Sequence, residues 1–130
     1  MINKNASYIS NIFNEVSYKY DFLNNLFSFG LHFLWKRKLI CLLNPKNGEE
    51  WADLCCGTGD MTFLLNQLVA PSGKVFGIDI SEKLLKIAQR KSNNLGSTVI
   101  YWKKKDIFDL DTKLRKFDGI CMSYGLRNLK

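Results

Sequence analysis

The sequence predicts an α/β fold: a Rossmann-like, doubly wound parallel sheet with helices on both faces and further helices at its N-terminal side. Two observations lead to this fold class. After residue 48, short apolar runs typical of buried strands alternate with amphipathic helical segments. A pair of glycines directly follows the first of these runs, and an acidic residue ends the second. A chain of 130 residues is long enough for one domain.

Residues 48–130 form the predicted sheet core. Strands are expected over 50–55, 74–80, 98–102 and 117–123. A helix is expected over 60–69 with Met61, Leu64, Leu65 and Leu68 on its buried face. A second helix should run from the N-cap Ser81 to about residue 94 and bury Leu84, Leu85, Ile87 and Ala88. Glu82 suits the positive end of the dipole of this helix.

Residues 1–47 form the predicted helical cap on the substrate side of the core. Apolar residues recur at helical spacing between Ile9 and Tyr20, and residues 22–43 are rich in large apolar and aromatic side chains. The basic run Lys36-Arg37-Lys38 follows the aromatic stretch. The turn at residues 44–48 separates this segment from the core.

Composition restricts the chemistry. The net charge of +7 favours anionic partners or a solvated lysine-rich surface, and we expect the second. The four cysteines lack zinc-ligand spacing, so we expect reduced thiols and no metal. We expect neither a secretory signal nor a membrane-spanning helix, because no apolar run approaches about 20 residues.

The glycine loop is the most informative segment. It reads Asp53-Leu-Cys-Cys-Gly-Thr-Gly-Asp60, between the first strand and the first core helix. Glycine at 57 and 59 allows a sharp turn and close approach of a ligand to the backbone. Asp79 ends the next strand, and the spacing 79 − 59 = 20 is typical of the carboxylate that binds ribose hydroxyls.

The loop favours S-adenosylmethionine over a dinucleotide. The third glycine of a dinucleotide motif is replaced by Thr62, which disfavours a nicotinamide oxidoreductase. S-adenosylmethionine has no phosphate, and its cationic groups favour the carboxylates of Asp53 and Asp60 that flank the loop. For Asp60, a helix cap and a ligand contact are equal alternatives.

Two further strand ends complete the predicted site, because ligands bind at the carboxyl ends of parallel strands. Asp106 follows the third strand, where its carboxylate would accept from the adenine amine; a surface turn is the alternative. Ile107 would offer its backbone N–H and an apolar side chain. Ser123 ends the fourth strand and should face the cofactor.

These motifs resemble the ubiquinone/menaquinone biosynthesis C-methyltransferases, which are class I methyltransferases. The resemblance rests on Val16-Ser-Tyr-Lys-Tyr-Asp21, Leu26-Phe-Ser-Phe-Gly-Leu-His-Phe-Leu-Trp-Lys-Arg37, the glycine loop, Gly77-Ile-Asp-Ile-Ser81 and Ser123-Tyr-Gly-Leu-Arg-Asn128. It implies cofactor contacts at Thr58, Asp79, Asp106, Ile107 and Ser123, although many members carry a neutral amide in place of Asp106. Cys55-Cys56 is most similar to the cyanobacterial and plastid branch, whose product is phylloquinone.

The resemblance implies methylation of a ring carbon in a demethylated prenyl or phytyl naphthoquinol. A benzoquinol or another small molecule is the alternative. Family members continue for roughly 100 residues beyond the fourth strand, so the sheet is expected to be incomplete here, and an inactive cofactor-binding fragment is a second alternative.

His32 and the pair Arg127-Asn128 are the candidate catalytic residues for handling the phenol proton. A packing role is an equal alternative for His32, and packing is expected for Tyr18, Tyr20 and Tyr124.

The expected partners are a lipophilic quinol and, through the aromatic stretch and basic run of residues 22–38, the surface of a membrane. Most of these side chains are expected to cover the sheet. No nucleic acid is expected, because Ser123-Tyr-Gly-Leu differs from the acidic or Asn-Pro-Pro-aromatic segment of methyltransferases acting on nucleobase amines. The expected location is the cytoplasm or plastid stroma.

Overall fold

A four-stranded parallel sheet forms the centre of the described residues. The computed structural model describes residues 31–111 and 116–123. The strands are β1 (Glu50–Leu54), β2 (Lys74–Asp79), β3 (Ile100–Lys104) and β4 (Gly119–Met122), in the spatial order β3-β2-β1-β4. Every neighbouring pair is parallel. The predicted fold class is therefore confirmed, and all four strands present their carboxyl ends at one edge of the sheet.

In the part of the chain that the structure describes, three α-helices accompany the sheet: α1 (Leu31–Leu43), α2 (Asp60–Val69) and α3 (Glu82–Asn94), with a 3₁₀ turn at Ile107–Asp109. The bounds predicted for α2 are confirmed. Ser81 caps α3 as predicted, because its Oγ accepts a hydrogen bond of 3.3 Å from the amide of Leu84. The helix predicted before residue 22 lies outside the described residues. Within the described ranges, no helix has the length and hydropathy needed to cross a membrane.

The main hydrophobic core lies between the sheet, α1 and α2. The sheet and both of these helices contribute buried residues to it: Ile40, Trp51, Met61, Leu65, Val69, Val75 and Cys121. The predicted buried face of α2 is partly wrong, because Leu68 is exposed and Thr62 is buried in its place. The buried face of α3 holds Leu84, Leu85 and Ala88 as predicted, with Ser92 where the helix continues and Ile87 only partly buried.

Strand ends differ from prediction where pairing outweighs local hydrophobicity. β3 begins and ends two residues later than predicted, because its ladder with β2 joins Val75 to Ile100 and Asp79 to Lys104. It is an edge strand, so lysines at its end remain compatible with pairing. β1 ends at Leu54 because Cys55 adopts a left-handed backbone with φ of 55°. β4 covers only the central part of the predicted run.

Candidate functional site

The glycine loop joins β1 to α2 at the carboxyl edge of the sheet. Its backbone is left-handed at three positions, with φ of 55° at Cys55, 57° at Gly57 and 92° at Gly59. The amide of Cys56 donates to the carbonyl of Ile78 at 3.1 Å, and the amide of Gly59 donates to the carbonyl of Cys56 at 3.0 Å. The loop is thus folded on itself and attached to β2. The predicted sharp turn is confirmed.

Trp102 supplies a reason for glycine that the sequence analysis missed. A Cβ at Gly59 would lie 2.6 Å from the Trp102 ring and 3.1 Å from the Phe63 ring. The same indole crosses Gly77, its pairing partner on β2, where a Cβ would lie 2.5 Å from ring carbons. The ring therefore fits between β2 and the glycine loop only because both positions lack side chains. Within the described residues, the buried Nε1 of Trp102 has no hydrogen-bond partner.

Asp79 connects the end of β2 to the loop. Its Oδ2 accepts a hydrogen bond of 2.8 Å from the Gly57 amide, and its Oδ1 accepts one of 2.8 Å from the Ser81 amide. The side chain is buried, which raises the pKa of the carboxyl group, while the backbone hydrogen bonds oppose that rise. Asp79 therefore holds the loop in shape as well as lying where a ribose is predicted to bind.

Asp53 lies beneath the loop, in the protein interior. It is 1% exposed, and its Oδ2 accepts a hydrogen bond of 2.7 Å from the hydroxyl of Thr62. The Sγ of Cys121 lies 3.6 Å from Oδ1. Burial raises the pKa of Asp53 to about 6, against the opposing effect of these hydrogen bonds. The structure therefore gives Asp53 a supporting place below the loop, and its predicted cofactor contact stays a prediction.

Asp60 begins α2 but does not cap it. The N-cap is Gly59, which makes no side-chain capping bond. The carboxylate instead pairs with Lys36 of α1, whose Nζ lies 2.9 Å from Oδ2, and Lys91 of α3 lies 3.9 Å from Oδ1. Of the two alternatives for Asp60, the capping role is wrong, and the ion pair with Lys36 ties α1 to the glycine loop.

The predicted residues after β3 and β4 lie at the same edge. Asp106 accepts a hydrogen bond of 3.0 Å from the Phe108 amide and so caps the 3₁₀ turn that starts at Ile107. Next to it, the Lys105 amide donates to the carbonyl of Asp79 at 3.0 Å. Thr58 is buried in the loop, and Ser123 is partly buried directly after β4. Their contacts with a cofactor stay predictions.

Carboxylates gather around the loop, as the effect on Cys55 shows. Burial first, and then the charges of Asp79, Asp53 and Asp106, raise the pKa of this thiol to about 11. Three predicted site residues from three different strand ends thus lie close enough to act on one side chain. Within the described part of the chain, no group of His, Cys, Asp or Glu side chains could hold a metal ion.

Of the three candidate catalytic residues, His32 lies in the part of the chain that the structure describes. His32 is buried in α1 and its ring centroid lies 4.1 Å from that of Phe33, so the structure agrees with a packing role and leaves its catalytic role a prediction. Arg127 and Asn128 lie outside the described residues, as do Tyr18, Tyr20 and Tyr124.

Comparison with known proteins gives a match over the whole chain. The model of the ubiE/COQ5 methyltransferase family matches residues 1–130. The chain is 41% identical over 122 residues to a 2-phytyl-1,4-naphtoquinone methyltransferase of Synechococcus elongatus, covering 93% of this chain and 52% of that protein. It is 39% identical over 128 residues to a demethylmenaquinone methyltransferase of Lactococcus lactis, covering 98% of this chain and 51% of that protein. The chain thus spans about half the length of the curated relatives it matches.

Solved structures agree on the fold. A SAM-dependent methyltransferase from Aquifex aeolicus superposes with a TM-score of 0.61 at 26% identity, covering 67% of this chain and 46% of that one. Magnesium protoporphyrin IX methyltransferase from Synechocystis, solved with bound SAM, gives a TM-score of 0.66 at 23% identity, covering 76% and 47%. The second likeness concerns the fold alone.

Proposed function

Because the chain belongs to the ubiE/COQ5 methyltransferase family, we propose that it binds S-adenosylmethionine and methylates a ring carbon of a demethylated naphthoquinol. The relatives named above act on phytyl-naphthoquinone and demethylmenaquinone. A phytyl or prenyl naphthoquinol is therefore the substrate class proposed for this chain. A benzoquinol is the alternative from the same family.

The arrangement around Asp79 is the observation that carries the cofactor assignment. Its buried carboxylate lies at the end of β2 and accepts a hydrogen bond of 2.8 Å from the amide of Gly57. The residue proposed to bind the ribose therefore also holds the glycine loop. The chemistry of the donor set also fits. Asp79 lies at the loop, Asp53 lies beneath it and Asp60, paired with Lys36, follows it, and carboxylates near the loop favour a cationic nucleoside without phosphate over a dinucleotide.

The order of the strands gives the proposed ligand a direction. Asp106 follows β3, Asp79 ends β2 and the glycine loop follows β1, and these three strands are consecutive neighbours in the sheet. An adenosine with its base beside Asp106 and its ribose at Asp79 would extend its amino-acid end over the glycine loop. Ser123, directly after β4, is a further residue that would hold the cofactor.

The bound cofactor would supply a methyl group on a sulfonium, which a carbon nucleophile can displace. The protein has to hold the reduced quinol in line with that methyl group and exclude water. A quinol carbon becomes nucleophilic when the adjacent hydroxyl loses its proton. His32, or a water held by Arg127 and Asn128, is proposed to accept that proton. Arg127 and Asn128 would then hold the phenolate that forms.

The surface of α1 supports contact with the membrane that would hold such a lipophilic substrate. Leu31, Leu34, Trp35 and Leu42 are exposed on this helix. Arg37 and Lys38 are exposed beside them, and the Lys38 ammonium lies 5.6 Å from the Trp35 ring centre. Exposed apolar and aromatic side chains next to basic ones suit an anionic lipid surface. We therefore propose a peripheral location at the cytoplasmic or stromal side.

Calorimetric titration of the purified chain with S-adenosylhomocysteine tests the cofactor, with NADH as the control ligand. Micromolar binding of S-adenosylhomocysteine alone supports the proposal. Binding of NADH, or of neither ligand, contradicts it.

Transfer of labelled methyl to a reduced demethylnaphthoquinone, with the oxidised form as control, then tests the acceptor. A reaction that requires the reduced form supports the quinol chemistry.

A further inference from the structure

Lys36 differs from Lys38, the other lysine of α1, in the exposure of its charged group. Its side chain is only 11% exposed, whereas Lys38 on the same helix is exposed. The ammonium reaches Asp60, the first residue after the glycine loop, at 2.9 Å. Its charge also acts on Asp53 beneath the loop, where it opposes the rise of that carboxyl pKa. A nearly buried cation therefore lies beside the glycine loop, paired with Asp60 and close enough to Asp53 to act on its carboxyl group.

The direction proposed for the cofactor brings its amino-acid end to this place. If the adenine lies beside Asp106 after β3 and the ribose at Asp79 on β2, the methionyl group extends toward β1, because β1 lies on the opposite side of β2 from β3. The loop after β1 is followed at once by Asp60, which the Lys36 ammonium contacts. A methionyl group carries an α-carboxylate, and most charged groups around the loop are themselves carboxylates. That anion needs a cation at the loop, and an ammonium held in position forms strong charge-assisted hydrogen bonds.

On this basis we infer that Lys36 binds the α-carboxylate of S-adenosylmethionine, an inference that rests on the proposed function. The ion pair with Asp60 is then a positioning contact, because it holds a flexible lysine side chain at the loop before the ligand arrives. The lysine comes from α1 and the proposed ribose-binding carboxylate from β2, so the N-terminal segment and the sheet would each supply part of the site.

The test separates carboxylate binding from a structural role by comparing two ligands. S-adenosylhomocysteine and S-adenosyl-3-thiopropylamine differ only in the α-carboxylate. Calorimetric titration of the full chain should give Lys36→Met an affinity for S-adenosylhomocysteine lowered about 10- to 100-fold. Its affinity for the decarboxylated ligand should change by less than about threefold. Lys36→Arg should restore at least part of the preference for the carboxylated ligand, since it keeps the charge.

Lys91→Met provides the matched control, because it removes the second cation near Asp60, at 3.9 Å. It should leave the ratio of the two affinities unchanged. Equal losses for both ligands in Lys36→Met, or a ratio altered as much by Lys91→Met, would overturn the inference and leave the proposed function standing. Failure of the unmodified chain to bind S-adenosylhomocysteine would instead remove the proposed function itself. Circular dichroism of each variant confirms that the helices are intact.

Discussion

The hydroxyl of Thr62 donates a 2.7 Å hydrogen bond to the carboxylate of Asp53, and both side chains are almost completely excluded from water. This bond joins the first turn of α2 to β1 directly beneath the glycine loop. Thr62 occupies the place where a dinucleotide-binding motif has its third glycine. The residue that argues against a dinucleotide therefore also provides the partner for a buried carboxylate.

Thr62→Val should lower the free energy of unfolding by about 1 to 3 kcal/mol at pH 7, because it removes a partner of a buried carboxylate without changing side-chain shape. Urea denaturation measures the change. Thr98→Val is the matched control at an exposed position, and should change stability by less than about 0.5 kcal/mol. Equal effects of the two variants would show that the buried hydrogen bond contributes nothing specific.

The pKa of Asp53, raised from 3.8 to about 6, predicts a pH dependence of stability. The folded chain binds this proton more tightly than the unfolded chain does. The resulting stabilisation is complete below about pH 4 and is lost as the pH rises through about 6, with a limit near 3 kcal/mol. Asp53→Asn removes the titration, so its stability relative to the unmodified chain should improve between pH 4.5 and 7.5. Parallel pH profiles of the two proteins in urea denaturation would refute this assignment.

Gly77→Ala should destabilise the protein by about 1 to 3 kcal/mol, because the new methyl group would collide with the Trp102 ring. Trp102→Leu should relieve the collision and recover at least half of that loss in the double variant. It also removes an indole N–H that has no partner in the described part of the chain. The free energies of a double-mutant cycle measure the coupling. Strictly additive effects would mean that the ring does not enforce glycine at 77.

The four thiols should react at very different rates. Cys41 is exposed, whereas burial raises the pKa of Cys55 to about 11 and raises those of Cys56 and Cys121 as well. Because the thiolate is the reactive form, alkylation at pH 8 should modify Cys41 at least tenfold faster than the other three. Mass spectrometry of the digested protein measures each site. Cys41→Ser should abolish the fast phase, and rapid labelling of Cys55 would contradict the closed loop.

Asp79→Ala should remove most binding of S-adenosylhomocysteine while the protein remains folded. The structure adds a cost in stability of about 1 to 3 kcal/mol, because the amides of Gly57 and Ser81 lose their acceptor. Calorimetry and urea denaturation measure the two effects separately. A folded variant with unchanged affinity would exclude Asp79 from the binding site.

The sequence predicted helix ends correctly where neighbouring residues determine them. α2 could be bounded because glycines precede it and a proline turn follows it, and Ser81 could be assigned as a cap because capping involves neighbouring residues. The end of β3 depends instead on pairing with β2, so lysines could join the strand against their usual preference. Helical periodicity alone could not decide whether Leu68 or Thr62 of α2 is buried. Thr62 is the buried one, since Asp53 on β1 provides a partner for its hydroxyl.

Site residues that follow strand ends could be predicted from the sequence. Residues that reach the site through contacts with distant parts of the chain could not. Asp79 and the glycine loop carry a recognisable spacing. The contact between Lys36 and Asp60 joins residues 24 positions apart, and nothing in the basic run distinguishes Lys36 from its neighbours. Trp102 was likewise hidden among strand residues, although an aromatic residue paired with a glycine on the next strand is a signal that could have found it.

The position of Trp102 also gives the glycine loop its own fluorophore. The indole lies against Gly59 and Gly77, with its ring centroid 5.7 Å from that of Phe63. Trp51 is buried in the core, whereas Trp35 is exposed on α1. Excitation of the tryptophans in a Trp35→Phe protein would therefore report mainly on two enclosed rings, one of them at the loop. Ligand arrival could then be followed by emission intensity in unlabelled protein.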